Sequence, residues 1–241
     1  MSPKRPIGCP VVSVIICTLN EEANLPHVLP KIPAWVDEIL LVDGHSTDNT
    51  VTVAKQLGPR IRVLVQPGKG KGDAIKHGTL EATGEIIVTI DADGQTNPED
   101  IQRFITPLLN GYDLAKGTRL VTGRPPNMPR YRWFGNKILA TTVNVLYGTR
   151  YTDICSGYNA YWRSAFQRLK LINNGFEMEQ EMMVKAKKAG LKVIEVEHHD
   201  AGRLGSNSKV SGVKQGSLYF GCHTSLVTPK LVLGFLPTSL L

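Results

Sequence analysis

The sequence predicts an α/β fold with a mainly parallel central sheet flanked by helices. Apolar runs of strand length alternate with segments of helical pattern over residues 11–116, as in successive βαβ units. Polar loops follow three of these runs, where the strands of such a sheet would end. A hydrophobic content of 41% in 241 residues supplies a core, and a charged content of only 20% argues against disorder.

The first half of the chain is predicted to hold five strands and four helices. The strands are expected at Val11–Cys17, Glu38–Val42, Ile61–Val65, Ile86–Ile90 and Tyr112–Lys116. The helices are expected at Glu21–Leu29, Thr47–Leu57, Asp73–Ala82 and from Asn97 to Asn110. Asn97 is a typical N-cap because Pro98 follows it at the first helical position. Gly111 suits the left-handed backbone conformation that commonly ends a helix.

The second half is less regular. Apolar residues at helical spacing predict a helix over Trp133–Tyr147, and another is expected between Gly175 and Gly190. The start of this last helix is acidic and its end is basic, which matches the helix dipole. Leu191–Val196 is expected to form the last strand.

The net charge of +7 is unevenly distributed. No Asp or Glu occurs between Leu114 and Thr152 or after Asp200, although both stretches contain several Lys and Arg residues. Such stretches indicate an anionic partner: a phosphorylated substrate, an anionic lipid surface or nucleic acid. Nucleic acid is disfavoured because no platform of interleaved aromatic and basic residues is present.

Cysteine spacing and hydropathy exclude several other classes. The four cysteines form no CxxC pair, so neither a zinc site nor a disulfide framework is expected. The first ten residues lack the apolar core of a signal peptide. The apolar stretch from Leu226 to Leu241 is interrupted by Pro229, Lys230 and Pro237, so it is not expected to span a bilayer.

The fourth predicted strand ends in Asp91-Ala92-Asp93. Side chains alternate along a strand, so carboxylates two residues apart can leave its end on the same side. Ligands of open α/β sheets bind at the carboxyl ends of strands, and paired carboxylates suit a divalent cation that carries a diphosphate. The alternative is a solvated turn, since Asp and Gly are also turn formers.

Three further polar loops are expected at the same edge of the sheet. They are Thr18-Leu19-Asn20-Glu21-Glu22, Asp43-Gly44-His45-Ser46-Thr47-Asp48-Asn49-Thr50 and Gln66-Pro67-Gly68-Lys69-Gly70-Lys71-Gly72. The first two offer polar groups to a nucleoside, although Asn20, Ser46 and Asp48 are also ordinary helix-capping residues. The glycines of the third loop allow close backbone approach and its lysines supply charge, but its spacing is not that of a Walker A site.

These motifs, in this order, resemble the family 2 glycosyltransferases of the GT-A fold. Within that family the chain is similar to the dolichyl-phosphate (polyprenyl-phosphate) mannose synthase group over about residues 11–210. The resemblance rests on the four loops and on Gly117-Thr118-Arg119, Asp153-Ile154-Cys155-Ser156-Gly157-Tyr158, and Arg203 followed by Ser208-Lys209. It implies a GT-A catalytic domain over residues 1–210 and a C-terminal amphipathic tail over residues 211–241.

The resemblance also implies roles for individual residues. The nucleotide sugar would be bound by Thr18, Asn20, Glu21, Asp43, Lys71, Asp91 and Asp93. The metal ion, Mg²⁺ or Mn²⁺, would be bound by Asp91, Asp93 and Gln95. The acceptor would be bound by Arg119, Arg132, Asn136, Arg203 and Lys209. Asp93 and the three arginines would be the catalytic residues of a single displacement that inverts the anomeric carbon, with a polyprenyl phosphate as the acceptor.

A soluble enzyme that glycosylates a hydroxyl group is the alternative, and it needs a general base. Glu177, Glu179 and Glu181 are candidates, but the Glu-Asp pair of hydroxyl-glycosylating relatives is missing, and all three also fit as helix-start acids on a solvated face. A nucleotidyltransferase would carry a Gly-rich loop after the first strand, where this chain has none.

Three other features leave their interpretation open. Asp153 is a candidate organiser of the acceptor arginines. His198-His199-Asp200 suggests a metal site, but adjacent side chains on a strand point apart, which favours one structural and one exposed histidine. The sequence leaves open which nucleotide base the donor carries, because Asp43 is followed by Gly44 and His45 where many relatives have consecutive acids.

The expected location is the cytoplasmic face of the membrane, with the protein bound peripherally. Residues 211–241 would lie on the bilayer as amphipathic segments, or would pack on the domain or on a second subunit. A homo-oligomer is therefore left open.

Overall fold

The computed structural model describes residues 5–202, which form one seven-stranded sheet with helices on both faces. The strands are β1 (Val12–Thr18), β2 (Glu38–Asp43), β3 (Ile61–Val65), β4 (Ile86–Asp91), β5 (Leu114–Thr118), β6 (Asn159–Trp162) and β7 (Val193–Glu197). The helices are α1 (Leu25–Val28), α2 (Thr50–Gln56), α3 (Lys71–Glu81), α4 (Ile101–Leu109), α5 (Arg130–Tyr147), α6 (Arg163–Leu169) and α7 (Met178–Lys188). Single 3₁₀ turns occur at Leu29–Lys31 and Pro98–Asp100.

The strand order is β3-β2-β1-β4-β6-β5-β7, and every pair is parallel except the two that β6 makes. β1 lies between β2 and β4, with Thr18 opposite Asp43 and Cys17 opposite Asp91. This register brings the ends of the three strands together, as the polar loops predicted. The mainly parallel sheet of the predicted fold class is confirmed.

The alternation of β1 builds the core on both faces of the sheet. Val12, Val14 and Ile16 point to one face, where they pack with α1 and α4 through residues such as Leu25 and Phe104. Ile15 points to the other face, where it packs against α3 and α7. Buried apolar side chains on both faces explain why β1 is a continuous apolar run.

Most predicted elements are observed with shifted ends, and two predictions require correction. The helix predicted at Glu21–Leu29 is reduced to α1 and a 3₁₀ turn, because Glu21 and Asn24 form loop contacts instead. The Glu21 N–H donates to Thr50 Oγ1 at 2.8 Å, and Asn24 Nδ2 donates to Glu21 Oε2 at 2.6 Å. The fifth strand is two residues later than Tyr112–Lys116.

β6 and α6 were not predicted. β6 has only four residues and inserts antiparallel between β4 and β5, where its partners lie far away in the sequence. So short a segment carries no periodic signal, and its pairing is decided by tertiary contacts. Within residues 5–202, no helix combines the length and the apolar character needed to cross a bilayer.

Candidate active site

A cleft of about 250 Å³ opens at the carboxyl ends of β1, β2 and β4. It is lined by residues from all four loops that the sequence singled out, together with Phe176. Thr18, Glu21, Lys71, Asp91 and Asp93 are among the lining residues. The structure therefore brings together most of the residues predicted to bind a nucleotide sugar.

The nucleoside side of the cleft is a network of polar loop contacts. Asn20 Oδ1 accepts from the Thr47 N–H at 2.7 Å, and the Asp43 carboxylate accepts from the hydroxyl of Ser46 at 2.5 Å. Asn20 adopts a positive φ of 51°, which asparagine tolerates better than most residues. Asn20 thus fixes the first loop against the second, and Asp43 holds the turn of the second loop, while Thr18 and Glu21 face the cleft itself.

Lys71 links two acidic groups at the floor of the cleft. Its Nζ lies 2.5 Å from Asp91 Oδ1 and 2.7 Å from Glu179 Oε1. Burial alone would lower the pKa of Lys71, but the two carboxylates outweigh it and raise the pKa above its usual value. The lysine therefore stays charged, which keeps a fixed positive charge at the start of α3 beside Asp91.

Gly157 forms the wall against which this ion pair lies. A Cβ atom built on Gly157 would collide with Lys71 Nζ and with the Asp91 carboxylate. Glycine is thus required here for a close approach of the backbone to charged side chains.

Asp93 and Gln95 are connected to the end of the described chain. Asp93 is buried, and its Oδ1 accepts from the Gln95 N–H at 3.1 Å. Gln95 Nε2 donates to Asp200 Oδ1 at 3.0 Å, and the Ala201 N–H donates to Gln95 O at 3.0 Å. Asp200 was considered in the sequence only as part of a histidine motif, so this tether was missed.

The donor set at the end of β4 fits a divalent cation. Asp91 is part-exposed on the cleft side, and Asp93 follows it at the spacing that the sequence indicated. Nowhere in residues 5–202 do three or more His, Cys, Asp or Glu side chains converge on one point. The protein would therefore supply two carboxylates. A diphosphate, water or the side-chain amide oxygen of Gln95 would complete the coordination.

Asp153 binds two of the residues predicted to contact the acceptor, Arg119 and Asn136. This fully buried carboxylate accepts from Arg119 Nε at 2.7 Å, from Arg119 Nη2 at 3.2 Å and from Asn136 Nδ2 at 2.7 Å. Burial alone would raise the pKa of Asp153, but Arg119, Lys116 and Asn136 hold it well below its usual range. Arg119 therefore has a fixed orientation at the end of β5.

The remaining acceptor residues differ in how far the structure places them. Arg132 lies half-buried in the first turn of α5, one turn before Asn136. Arg203, Lys209 and the tail 211–241 lie outside the described residues, so the boundary at residue 210 and their roles stay predictions.

Lys116 and His198 are buried residues behind this region. Lys116 Nζ donates to Ser156 O at 2.7 Å, and Ser156 Oγ lies 2.9 Å from His198 Nε2. The role of Lys116 was missed, because a lysine at the end of an apolar run is more typical of a solvated strand end. His198 is buried and His199 exposed, as the alternation of a strand predicted.

The three glutamates of α7 have different environments. Glu179 is buried and paired with Lys71. Glu181 accepts from the N–H groups of Ile172 and Asn173 and pairs with Lys185, so its carboxylate holds the preceding loop. Glu177 accepts from the Gly175 N–H at 3.0 Å. Glu179 alone of the three contacts the cleft residues described above.

Comparisons with known proteins agree with this architecture. The sequence pattern of "Glycosyl transferase family 2" matches residues 13–170. Glycosyltransferase AglJ of Haloferax volcanii is 32% identical over 87% of this chain and 69% of its own length. The dolichol-phosphate mannosyltransferase of Pyrococcus furiosus is 33% identical over 83% of this chain, which spans only 59% of that protein.

A solved structure shares the fold. The glucosyl-3-phosphoglycerate synthase of Mycobacterium tuberculosis, in complex with Mn²⁺, UDP and glucosyl-3-phosphoglycerate, superposes with a TM-score of 0.71. The match covers 90% of this chain and 79% of that one at 22% identity. With the family pattern matched over more than half of its length, the chain belongs to glycosyltransferase family 2.

Proposed function

We propose that this glycosyltransferase is metal-dependent and inverting, and that it moves a hexose from a nucleotide sugar to a polyprenyl phosphate. The observation that carries the proposal is the segment 153–157, which contacts both halves of the site. Asp153 holds Arg119, and Gly157 packs against Lys71 and Asp91. Four residue steps span at most about 14 Å, so Arg119, the arginine that would bind the acceptor phosphate, is close to the donor cleft.

The donor half is supported by the cleft and its carboxylates. Asp91 and Asp93, with Gln95, would hold Mg²⁺ or Mn²⁺ against the diphosphate, and Thr18, Asn20, Glu21 and Asp43 would hold the nucleoside. When bound, the cation would stabilise the negative charge that develops on the leaving diphosphate. Lys71 adds a fixed positive charge at the same place. The Mn²⁺ and UDP bound by the mycobacterial enzyme are consistent with this assignment.

The acceptor half is supported by the way Arg119 is held. Asp153 engages Nε and Nη2, so its two bonds occupy two of the five guanidinium N–H groups and the other three could bind an anion as far as residues 5–202 show. A phosphate monoester is already anionic at neutral pH and needs orientation more than a general base. Arg132, Asn136, Arg203 and Lys209 would complete this site. Lipid phosphates are also named for the relatives from Pyrococcus furiosus and, at 29% identity, Haloferax volcanii.

A hydroxyl acceptor is the second candidate, and the buried Glu179, which contacts the cleft residue Lys71, favours it. A mycobacterial structure of the same fold contains phosphoglyceric acid, a small molecule with one free hydroxyl group. Glu179 is, however, paired with Lys71 at 2.7 Å, so it would have to leave that lysine to accept a proton. The lipid-phosphate acceptor requires no such rearrangement.

A transfer assay tests the choice of acceptor. UDP-glucose and GDP-mannose are each offered with a polyprenyl phosphate, with phosphoglycerate and with a neutral saccharide, in the presence of Mn²⁺. We expect a product with the polyprenyl phosphate. The rate of transfer to this acceptor should fall about 100-fold in Arg119→Gln, because a charge-assisted contact with the phosphate is removed. Arg103→Gln is the control, since Arg103 pairs with Asp100 on an exposed surface.

Two results would contradict the proposal. One is a product with the saccharide or phosphoglycerate and none with the lipid. The other is equal lipid transfer by the Arg119→Gln and Arg103→Gln variants.

A further inference from the structure

Helix α5 has an apolar outer face that nothing in residues 5–202 covers. Four of its side chains are exposed, namely Tyr131 (64%), Phe134 (61%), Ile138 (43%) and Val145 (78%). Their spacings of three, four and seven residues place them on one side of the helix. We call these four residues the α5 stripe. The opposite side of α5 is buried through Asn136, Leu139, Ala140 and Val143.

The α5 stripe is bordered by positive charge. Arg130 and Lys137 are exposed and seven residues apart, so they lie along one edge of the stripe. The stretch from Leu114 to Thr152, which includes all of α5, contains no acidic residue. An amphipathic helix with aromatic and aliphatic residues on one side and basic residues beside them is typical of a segment that lies in a membrane interface.

A hollow at the start of α5 provides a second observation. It has a volume of about 430 Å³ and is lined by Arg124, Arg130, Tyr131, Trp133 and Phe134. Two arginines beside three aromatic rings suit a lipid head group, because the guanidinium groups bind phosphate and the rings lie at the level of the head groups. Lys137 Nζ lies 4.9 Å from the centre of the Trp133 ring, which keeps a further cation beside this hollow.

We propose that the α5 stripe docks on a bilayer that contains anionic phospholipids. A second copy of the chain fits this face less well. Two copies that met through it would place the basic borders of both copies, Arg130 and Lys137, at one interface, with no acid in residues 114–152 to pair with them. An anionic bilayer instead complements these charges and buries the apolar side chains.

The docking surface and the predicted acceptor site share one helix. Asn136, on the inner side of α5, donates to Asp153, and Asp153 holds Arg119. With the outer side of α5 on the bilayer, Arg119 lies close to the surface from which a polyprenyl phosphate would be drawn. The inference thus deepens the proposed function, although its test does not require transferase activity.

Vesicle flotation of the full chain tests the inference. Vesicles of phosphatidylcholine alone are compared with vesicles that also contain phosphatidylglycerol, both without polyprenyl phosphate. The variant Phe134→Ser/Ile138→Ser makes the stripe polar, and Leu80→Ser/Ile172→Ser is the matched control at exposed apolar positions elsewhere. A third variant, Arg130→Gln/Lys137→Gln, removes the bordering charge. Circular dichroism confirms that each variant is folded.

We expect the wild type and the Leu80→Ser/Ile172→Ser control to float with the phosphatidylglycerol vesicles. The stripe variant is expected to bind at least about tenfold more weakly, because two apolar side chains are no longer buried. The Arg130→Gln/Lys137→Gln variant should lose the preference for phosphatidylglycerol.

Three results would overturn the inference. The first is a wild-type protein that does not float with the vesicles. The second is a stripe variant that floats as well as the control. The third is a wild-type protein that forms a dimer in the absence of lipid, together with a stripe variant that does not. A separate transfer assay in detergent distinguishes this inference from the proposed function. Failure of lipid transfer with flotation as expected would remove the proposed function and leave the docking surface in place.

Discussion

The charged side chains at the cleft are held in place by ion pairs with one another. Lys71 contacts Asp91 and Glu179, and Gly157 lies so close to Lys71 and Asp91 that a Cβ atom there would displace the ends of both side chains. Buried charges are costly unless they are paired, so the three charged groups are mutually dependent. The strand-end position and the i, i+2 spacing of Asp91 and Asp93 were predictable from the sequence, but the role of Gly157 depends on a contact that only the fold creates.

Gly157→Ala is expected to weaken donor binding while the protein stays folded. The added methyl group collides with the flexible end of Lys71 and with the Asp91 carboxylate, which must move apart. Gly135→Ala on α5 is the control, because a Cβ there meets no atom within 4 Å and alanine favours the helix by about 1 kcal/mol. Calorimetry with UDP or GDP in Mn²⁺ measures the effect, and equal affinities of the two variants would contradict it.

His198 is expected to make stability depend on pH between about 4 and 6.5. Burial, with Arg119 nearby, lowers the pKa of His198 to about 4 from the ordinary 6.5. As the pH falls through this window, the unfolded chain binds a proton that the folded protein does not. The free energy of unfolding should therefore decrease by up to about 3 kcal/mol, and this loss is absent above pH 6.5.

Urea unfolding across this pH range measures the effect of His198. His198→Gln keeps a polar partner for Ser156 but does not titrate, so its stability should fall less steeply than that of the wild type. His199→Gln, at an exposed position, should follow the wild type. Identical pH profiles for all three proteins would refute the assignment.

At the scale of elements, Asp153 connects the end of β5, the inner side of α5 and the start of the segment that leads to β6. Arg119, Asn136 and the Cys155 N–H all donate to it. β1, β2 and β4 were predictable because buried parallel strands are continuous apolar runs. β6 was not, because four residues with little β-branched character pair only when their neighbours are already in place.

Asp153→Asn should destabilise the protein by about 3–5 kcal/mol, because it leaves the Arg119 charge without its buried partner. Asp100→Asn is the control. Its partner Arg103 is exposed and 3.3 Å away, so the expected cost is about 0–1 kcal/mol. Urea denaturation gives both values, and a similar small loss for the two variants would show that Asp153 does not organise this region.

At the scale of the whole molecule, the sheet order brings distant segments to one edge. The four loops were predicted to meet because parallel strands end at a common edge, and the cleft contains residues from each of them. The tether between Gln95 and Asp200 could not be predicted, because it joins residues 105 positions apart. The same applies to the pairing of Lys71 with Glu179, which depends on how α7 packs against α3.

The central claim is that Asp91 and Asp93 hold a divalent cation together with the diphosphate of the donor. Titration calorimetry of UDP and GDP, with Mn²⁺ and with EDTA, tests it on the wild type, Asp93→Asn and Asp100→Asn. We expect Mn²⁺ to strengthen binding of at least one nucleotide by about tenfold or more in the wild type and in Asp100→Asn, and to have no such effect in Asp93→Asn. Tight nucleotide binding that persists in EDTA, or an Asp93→Asn variant that responds to Mn²⁺ like the wild type, would contradict the claim.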